Sequence, residues 1–244
     1  MKRIANWLAN RLGYEIVPQW RMAGLPAARK LREIFARQQI NRVIDVGANE
    51  GQFYRFLRSD VGFTGEIVSF EPIPEIADRL REQSASDRLW TVHASALGRS
   101  AGELTLNVAA MTVFSSFLRP LAHDPSEGGN VVSRMVRVPV TTLDDMFPDQ
   151  TTLRHTYLKL DTQGFDLEVA RGGERALGAI PALQTEMSYR ALYDGMPDFR
   201  KSLSLFEQYG FQVSDFFLVS ADSNGIAYEF DCVMVRAPDN AASD

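Results

Sequence analysis

From residue 40 onward, short apolar runs alternate with segments of helical periodicity along the chain. The apolar runs predict strands at residues 42–46, 66–71, 90–96, 103–108, 135–140, 156–161, 183–187, 212–219 and 229–236. The periodic segments predict helices at residues 51–59, 74–83, 166–177 and 198–209. This alternation is typical of an α/β fold, in which helices cover a mostly parallel sheet. Turn-forming residues at 220–225 separate the last two strands, so we expect a hairpin there and one antiparallel strand at the end of the sheet.

The main domain that these elements predict spans residues 40–236, and residues 1–39 precede it as an N-terminal helical extension. Within the domain, residues 102–143 interrupt the alternation with an insert. Its central loop is rich in Gly, Pro and Ser, which is typical of a lid or a mobile connection. Residues 237–244 are small and polar, so we expect a flexible tail.

In the N-terminal extension, apolar residues recur at helical spacing, namely Ile4, Trp7, Leu8 and Leu12. The continuous apolar run and small-residue cleavage site of a signal peptide are missing there. Such a helix would pack on its own domain or on a partner subunit of a homo-oligomer. Alternatively, it would make a peripheral contact with a membrane that carries a lipid-linked substrate.

The composition excludes several classes of protein. Hydrophobic residues make up 45% and charged residues 23% of the chain, as in an ordinary soluble globular protein. A net charge of −5 argues against a nucleic-acid binder with a basic face. No apolar run approaches the roughly 18 residues of a transmembrane segment. The single cysteine, Cys232, can form neither an internal disulfide nor a cysteine-based zinc site, which favours a reducing, cytoplasmic location.

The most informative local pattern is the stretch 43–53, in which an apolar strand leads into a glycine-containing turn and then a helix. Gly47 and Gly51 let the backbone turn tightly and let a ligand approach it closely. Asp45 places a carboxylate just before the turn. Glu71 ends the next predicted strand, 20 residues after Gly51, which is the usual spacing of an acid that binds both ribose hydroxyls. The pattern therefore predicts a site for an adenosine cofactor.

The residues of the turn favour S-adenosylmethionine over NAD. In the dinucleotide motif, a second glycine lets the pyrophosphate approach, and Asn49 stands at that position here. The flanking acids Asp45 and Glu50 would also repel a diphosphate. S-adenosylmethionine has no phosphate, and its amino group and sulfonium are attracted by carboxylates.

Several motifs together resemble those of FkbM-type S-adenosylmethionine-dependent methyltransferases. They are residues 43–53, Phe70-Glu71-Pro72, Ala96-Leu97-Gly98, the stretch 158–164 (LKLDTQG), Gln184-Thr185-Glu186, Tyr193-Asp194-Gly195 and Tyr209-Gly210-Phe211. The resemblance covers roughly residues 40–236. It implies a class I methyltransferase, Rossmann-like fold: a seven-stranded, mostly parallel sheet with helices on both faces and an antiparallel last strand.

The resemblance also implies which residues bind the cofactor. Asp45, Gly47, Asn49 and Gly51 would line its methionine part, and Glu71 with the adjacent Pro72 would hold the ribose. The adenine would lie near the end of the third predicted strand, where Ser95 or His93 offers a polar side chain.

The candidate catalytic residues are Asp161 and Glu186, each at the end of a predicted strand. Ligands of open α/β sheets lie beyond these strand ends, so both acids should face the cofactor cleft. Either could accept the proton of a hydroxyl as its oxygen is methylated. For Asp161 the alternative is a cap of the following helix. FkbM-type proteins commonly show Asp-x-Glu-Gly-x-Glu here, whereas this chain has Gln163 and Asp166. Gln163 cannot act as a base but can hydrogen-bond to the cofactor or substrate.

A magnesium ion would require oxygen ligands, and Asp161, Glu186 and more weakly Asp166 could provide some of them. No diagnostic ligand spacing is present, so the sequence does not indicate a metal site. Three aromatic residues, Tyr189, Tyr193 and Phe199, would either stack on an acceptor sugar or belong to the core.

The combined reading is an S-adenosylmethionine-dependent O-methyltransferase. The resemblance implies a small-molecule or glycan acceptor: a glycosyl group, a glycolipid or a polyketide-type natural product. One alternative is a non-catalytic interaction protein that retains the cofactor fold. The other is an NAD-dependent oxidoreductase, which the absence of a Tyr-x-x-x-Lys pair disfavours.

Overall fold

A computed structural model describes residue 7 and residues 11–14, 22–121 and 129–236. Most of the predicted N-terminal helix, the central loop of the insert and the predicted flexible tail therefore lie outside the described residues. Two apolar residues of the N-terminal pattern, Trp7 and Leu12, are exposed. No helix in the described ranges is long and apolar enough to cross a membrane.

The centre of the molecule is a seven-stranded sheet with the strand order β3-β2-β1-β7-β8-β10-β9. The strands of the chain are β1 (Arg42–Val46), β2 (Glu66–Phe70), β3 (Trp90–His93), β4 (Ala96–Leu97), β5 (Gly102–Ala109), β6 (Val132–Thr141), β7 (Thr156–Leu160), β8 (Ala182–Ser188), β9 (Phe211–Ala221) and β10 (Ala227–Arg236). Strands β3, β2, β1, β7 and β8 are parallel neighbours, and β10 runs antiparallel to both β8 and β9. The predicted hairpin and antiparallel last strand are confirmed.

Helices cover both faces of this sheet. They are α1 (Leu25–Arg37), α2 (Gln52–Phe56), α3 (Pro74–Ser84), α4 (Leu143–Met146), α5 (Asp166–Arg171), α6 (Glu174–Ala179) and α7 (Phe199–Gln208). Side chains of α1 and α3 share one core cluster with Val43 of β1, and side chains of α5, α6 and α7 share the other with Ile44. Neighbouring residues of β1 thus enter opposite cores, as expected for a strand buried on both faces.

Helix α1 packs directly on the sheet. Its buried residues Ala28, Leu31, Ile34 and Phe35 recur at helical spacing and form one apolar face. The ring of Phe35 lies 5.1 Å from that of Tyr157 in β7. The part of the N-terminal extension closest to the sheet is therefore integrated into the core.

Two predicted elements are divided in the structure. The predicted strand 90–96 is split, because Ala96–Leu97 pairs with β6 in a separate three-stranded sheet. The predicted helix 166–177 is broken at Gly172 and Gly173, where the backbone passes close to Gly98. A Cβ atom on Gly172 would lie 1.9 Å from the carbonyl oxygen of Gly98. This close approach leaves no room for a side chain at position 172.

The insert contains the two further strands that the sequence predicts. Strands β5 and β6 form an antiparallel pair, which β4 extends to a three-stranded sheet. A short 3₁₀ turn, Thr112–Phe114, follows β5 and returns the chain toward the carboxyl ends of the central strands.

Candidate active site

A cavity of about 660 Å³ lies beyond the carboxyl ends of the central strands. Gly47, Glu71 and Asp161 reach it from the ends of β1, β2 and β7, and Glu186 reaches it from β8. This is the position at which open α/β sheets bind their ligands.

The structure brings most of the sequence-predicted site residues to this cavity. Its lining includes Gly47, Asn49, Glu71, Pro72, Asp161, Gln163 and Glu186. Three others lie outside the lining. Asp45 is completely buried beneath the turn, Gly51 packs against α3, and Ser95 is half-buried in the link between β3 and β4.

The remaining aromatic and histidine candidates also lie outside the cavity lining. Tyr193 is completely buried and belongs to the core, whereas Tyr189 is exposed and packs near the ring of Phe199. The ring of His93 stacks on Phe70, with centroids 5.0 Å apart. Burial lowers the pKa of His93.

The turn after β1 is held by internal contacts. The N–H groups of Gly47 and Ala48 donate to the carbonyl oxygen of Phe70 at 3.0 and 3.1 Å. Gly47 has φ +81°, and a Cβ atom on it would lie 1.9 Å from the carbonyl oxygen of Asp161. The structure therefore requires glycine here because the end of β7 lies against the turn. Asn49 also adopts a left-handed conformation, with φ +44°.

Glu71 is fixed at the cavity wall through both carboxylate oxygens. Oε2 accepts a hydrogen bond from the N–H of Asn49, and Oε1 accepts one from the N–H of Ile73, each at 2.8 Å. Burial raises the pKa of Glu71 to about 7, although these two hydrogen bonds act in the opposite direction. Each oxygen keeps a lone pair that could accept a further hydrogen bond.

Lys159 is a buried cation that the sequence analysis did not identify. Its Nζ lies 3.1 Å from Asp161 Oδ2, 3.3 Å from Asp45 Oδ1 and 3.4 Å from the carbonyl oxygen of Gly47. Burial alone would lower the pKa of Lys159, but Asp161 and Asp45 raise it above its usual value. Among the described residues that line the cavity, Lys159 is the only one with a basic side chain. In the sequence, the indication of this buried cation is a lysine within an otherwise apolar predicted strand.

Asp161 and Glu186 are joined by the side chain of Gln163. Its Nε2 donates to Glu186 Oε2 at 2.7 Å and to Asp161 Oδ1 at 3.2 Å. The two candidate catalytic carboxylates therefore lie side by side. The N-cap position of α5 is Phe165, and no side chain caps this helix; Asp166, its first residue, instead accepts the N–H of Thr162 in the preceding turn at 2.9 Å.

Two further acidic residues of the cavity lining belong to β10. Asp231 is the register partner of Glu186, and Glu229 lines the same cavity. Burial raises the pKa of Asp231 to about 6, with a contribution from Asp161. Burial also raises the pKa of Glu186 well above its usual value, and Asp161, Glu229 and Asp231 add to the effect. Within the described ranges, no group of three or more His, Cys, Asp or Glu residues is arranged to hold a metal ion.

The insert forms part of the cavity wall. Thr112 Oγ1 donates to Asn49 Oδ1 at 3.2 Å, and the hydroxyl of Ser116 donates to the carbonyl oxygen of Gln163 at 2.7 Å. Val113 and Phe114 line the cavity between these contacts. The insert is thus hydrogen-bonded to the turns that follow both β1 and β7.

Comparison with solved structures finds a similar fold in a methyltransferase. A methyltransferase FkbM from Methylobacillus flagellatus KT superposes with a TM-score of 0.51 at 15% identity, over 79% of this chain and 43% of that protein. The chain thus spans less than half the length of that protein. Magnesium protoporphyrin IX methyltransferase from Synechocystis PCC 6803 superposes with a TM-score of 0.48 at 8% identity, over 96% and 91% of the two chains. No curated protein matches the chain in sequence.

The strand order and the antiparallel β10 are those of the class I methyltransferase fold. Residues 45–213, which carry the turn after β1, Glu71 and the Asp161–Glu186 pair, match the methyltransferase FkbM domain. This match extends over more than half of the chain, which therefore belongs to the FkbM methyltransferase domain family.

Proposed function

We propose that this protein is an S-adenosylmethionine-dependent O-methyltransferase that acts on a hydroxyl group of a glycosyl, glycolipid or polyketide-type natural-product acceptor. The observation that carries the proposal is one cavity with two functional ends. Glu71 follows β2, whereas the hydrogen-bonded Asp161–Glu186 pair lies at β7 and β8, on the other side of β1. The first suits the ribose of a nucleoside cofactor, and the second suits an acceptor hydroxyl.

The residues near Glu71 fit an adenosine cofactor. Each oxygen of Glu71 already accepts one backbone N–H, which orients the carboxylate and leaves lone pairs for the two ribose hydroxyls. The neighbouring lining includes Phe70, Ile73 and Leu97, whose apolar side chains suit the faces of an adenine ring.

The hydrogen bonding of the turn fits S-adenosylmethionine better than a dinucleotide. The N–H groups of Gly47, Ala48, Asn49 and Gly51 all donate to acceptors within the protein. A diphosphate is normally bound by free N–H groups at such a turn, so these internal bonds disfavour NAD. The carboxylate of Asp161, by contrast, would attract the positive charges of the methionine part of S-adenosylmethionine.

The other end of the cavity suits an acceptor with an apolar portion. The lining on this side includes Phe217 and Leu218 of β9, which pairs with β10, and Leu218 is 64% exposed, so the apolar surface continues to the outside. Glu186 lies on the same side through its pairing with β10. An acceptor could therefore rest an apolar part on this wall and direct a hydroxyl toward the carboxylates.

S-adenosylmethionine, when bound, supplies an electrophilic methyl group. This chain's residues would orient the acceptor hydroxyl in line with the methyl carbon and exclude water around it. As the oxygen–carbon bond forms and the carbon–sulfur bond breaks, the hydroxyl proton passes to Glu186 or Asp161. The products are a methyl ether, a protonated carboxyl group and neutral S-adenosylhomocysteine.

Methyl-labelled S-adenosylmethionine offered with panels of glycosyl, glycolipid and polyketide acceptors tests this proposal. We expect label on an acceptor oxygen, and we expect Glu186→Gln to reduce its transfer at unchanged S-adenosylhomocysteine affinity. Transfer to nitrogen or carbon would refute O-methylation. Cofactor binding without transfer to any acceptor would instead favour the non-catalytic interaction protein.

A further inference from the structure

The backbone at Gln163 adopts a conformation that non-glycine residues rarely take. Its φ is +53°, in the left-handed region, and Gly164 follows with φ +88°. Such a conformation persists only where the surroundings enforce it, and it is most frequent at functional sites. The carbonyl oxygen of Gln163 accepts the hydroxyl of Ser116 at 2.7 Å, so the insert holds this turn in place.

The side-chain amide of Gln163 has one orientation that satisfies its neighbours. The hydroxyl of Tyr193 lies 2.9 Å from Oε1 and 3.0 Å from the carbonyl oxygen of Phe114. The single hydroxyl hydrogen cannot serve both acceptors, so the orientation of the amide follows from the carboxylates: they accept hydrogen bonds, and Nε2 therefore faces Asp161 and Glu186. The opposite orientation would place a carbonyl oxygen against two carboxylates.

Both hydrogens of Nε2 are therefore used, one for each carboxylate. Two neighbouring carboxylates repel each other unless a proton, a cation or a hydrogen-bond donor stands between them. The amide of Gln163 is such a donor, because Nε2 lies within hydrogen-bonding distance of Asp161 Oδ1 and Glu186 Oε2 at once. Only one oxygen of each carboxylate takes part in this bridge.

We propose that Gln163 is a positioning residue: its amide holds Asp161 and Glu186 as a fixed pair and occupies the place between them that a divalent cation would otherwise take. This inference rests on the proposed function for the role of the pair in proton transfer. The bridge leaves the second oxygen of Glu186 for an acceptor hydroxyl, while Lys159 holds Oδ2 of Asp161 at 3.1 Å.

The acidic residues around Glu186 indicate how the hydrogen bond from Gln163 affects the pKa of Glu186. Asp161 lies at the end of β7, Glu229 and Asp231 lie on β10, and Asp166 begins α5, and all four act on Glu186 in the same direction. The nearest cation in the cavity lining is Lys159, which is paired with Asp161 and Asp45. Loss of the Gln163 donor would leave the repulsion uncompensated and would favour the protonated form of Glu186.

The first test follows Glu186 directly, by carbon NMR of protein labelled at the glutamate carboxyl carbon. Its signal is assigned through Glu186→Gln. We expect Gln163→Met to raise the titration midpoint of Glu186 by about half a pH unit or more, and Tyr193→Phe to shift it less in the same direction. Gln208→Met, a change at an exposed glutamine of α7, should leave it unchanged. An unmoved midpoint in both site variants would overturn the proposal, and Tyr193→Phe keeps the test open if Gln163→Met does not fold.

The second test uses Mn²⁺ as a probe, followed by electron paramagnetic resonance. Because the amide occupies the place of a cation, we expect the wild type to bind no Mn²⁺ at this pair. The variant Gln163→Glu should bind one Mn²⁺ ion per chain. The double variant that combines Gln163→Glu with Glu186→Gln should bind none. Stoichiometric binding by the wild type that Glu186→Gln abolishes would overturn the proposal. Neither test uses a cofactor or an acceptor, so failure here is distinguishable from failure of the proposed function.

Discussion

Lys159 and Asp45 form a buried ion pair between neighbouring strands, with 3.3 Å between Nζ and Oδ1. The side chain of Asp45 is completely buried, and that of Lys159 is 7% exposed. The two residues are register partners in β7 and β1. The pair therefore places two mutually compensating charges in the sheet directly beneath the turn that borders the proposed cofactor site.

Replacement of this lysine should destabilise the fold strongly. Lys159→Met would leave Asp45 as an uncompensated buried carboxylate, which typically costs about 3–5 kcal/mol. Urea denaturation measures the free energy of unfolding. Lys159→Met combined with Asp45→Asn should recover a large part of the loss. If the double variant is no more stable than Lys159→Met alone, the ion pair does not account for the effect.

Gly47 should not tolerate even alanine. The added Cβ would lie 1.9 Å from the carbonyl oxygen of Asp161, and φ is +81°. We expect Gly47→Ala to lower the free energy of unfolding by at least about 2 kcal/mol and to abolish S-adenosylhomocysteine binding. Gly178→Ala is the matched control, because no atom lies within 4 Å of its added Cβ. Equal stability of the two variants would contradict the close contact between the turn and β7.

The affinity for S-adenosylhomocysteine should depend on pH through Glu71. Its pKa is raised to about 7, so the carboxylate that would accept both ribose hydroxyls is lost as the pH falls below that value. We expect affinity to rise up to about pH 7 and then level off. Calorimetric titrations at several pH values measure this. Glu71→Gln should show weaker binding without the change near pH 7, and a change that persists in this variant would assign it to another group.

The raised pKa of Glu71 also predicts how the stability of the ligand-free protein changes with pH. Because folding raises the pKa of Glu71, its contribution to stability is fully present below the unfolded pKa of about 4.5 and is lost as the pH rises through about 7. Glu71→Gln should therefore weaken the loss of stability between these pH values. Urea midpoints measured across this range would test the sign, and an unchanged pH dependence in the variant would contradict it.

Asp161 should affect turnover much more than cofactor affinity. Asp161→Asn removes one of the two candidate proton acceptors, and loss of general base catalysis typically costs about 100-fold or more in rate. Single-turnover assays with an accepted substrate, beside S-adenosylhomocysteine titrations, separate the two effects. Unchanged turnover would assign Asp161 a structural role, together with Lys159 and Gln163.

The sequence could predict the local parts of this site. The glycine turn, Glu71 and Asp161 each follow a strand within a few residues, so pattern and spacing are sufficient to place them at one edge of the sheet. Gly47 shows the limit of this reasoning. The expected reasons for a glycine were a tight turn and ligand approach; the structure shows the turn, with φ +81°, and also a contact with the carbonyl oxygen of Asp161, which lies far along the chain.

Contacts between distant strands were beyond a reading of the sequence alone. Asp231 meets Glu186 only because β10 inserts between β8 and β9, and Lys159 meets Asp45 only through the register of β7 on β1. Gln163 was expected to hydrogen-bond with a ligand. Its contact with Glu186 depends on the pairing of β8 with β7, and its Oε1 lies 2.9 Å from the hydroxyl of Tyr193, in a loop that no local pattern connects to it.

The most direct test of the account is the binding of S-adenosylhomocysteine to the wild type, Glu71→Ala and Glu50→Ala. Glu50 is the matched control, because it lies on the same turn with an exposed side chain. We expect one molecule bound per chain of the wild type and of Glu50→Ala, and affinity lower by about 100-fold in Glu71→Ala, since two hydrogen bonds to a carboxylate are lost. Affinity of Glu71→Ala within twofold of the wild type would contradict the proposed cofactor site.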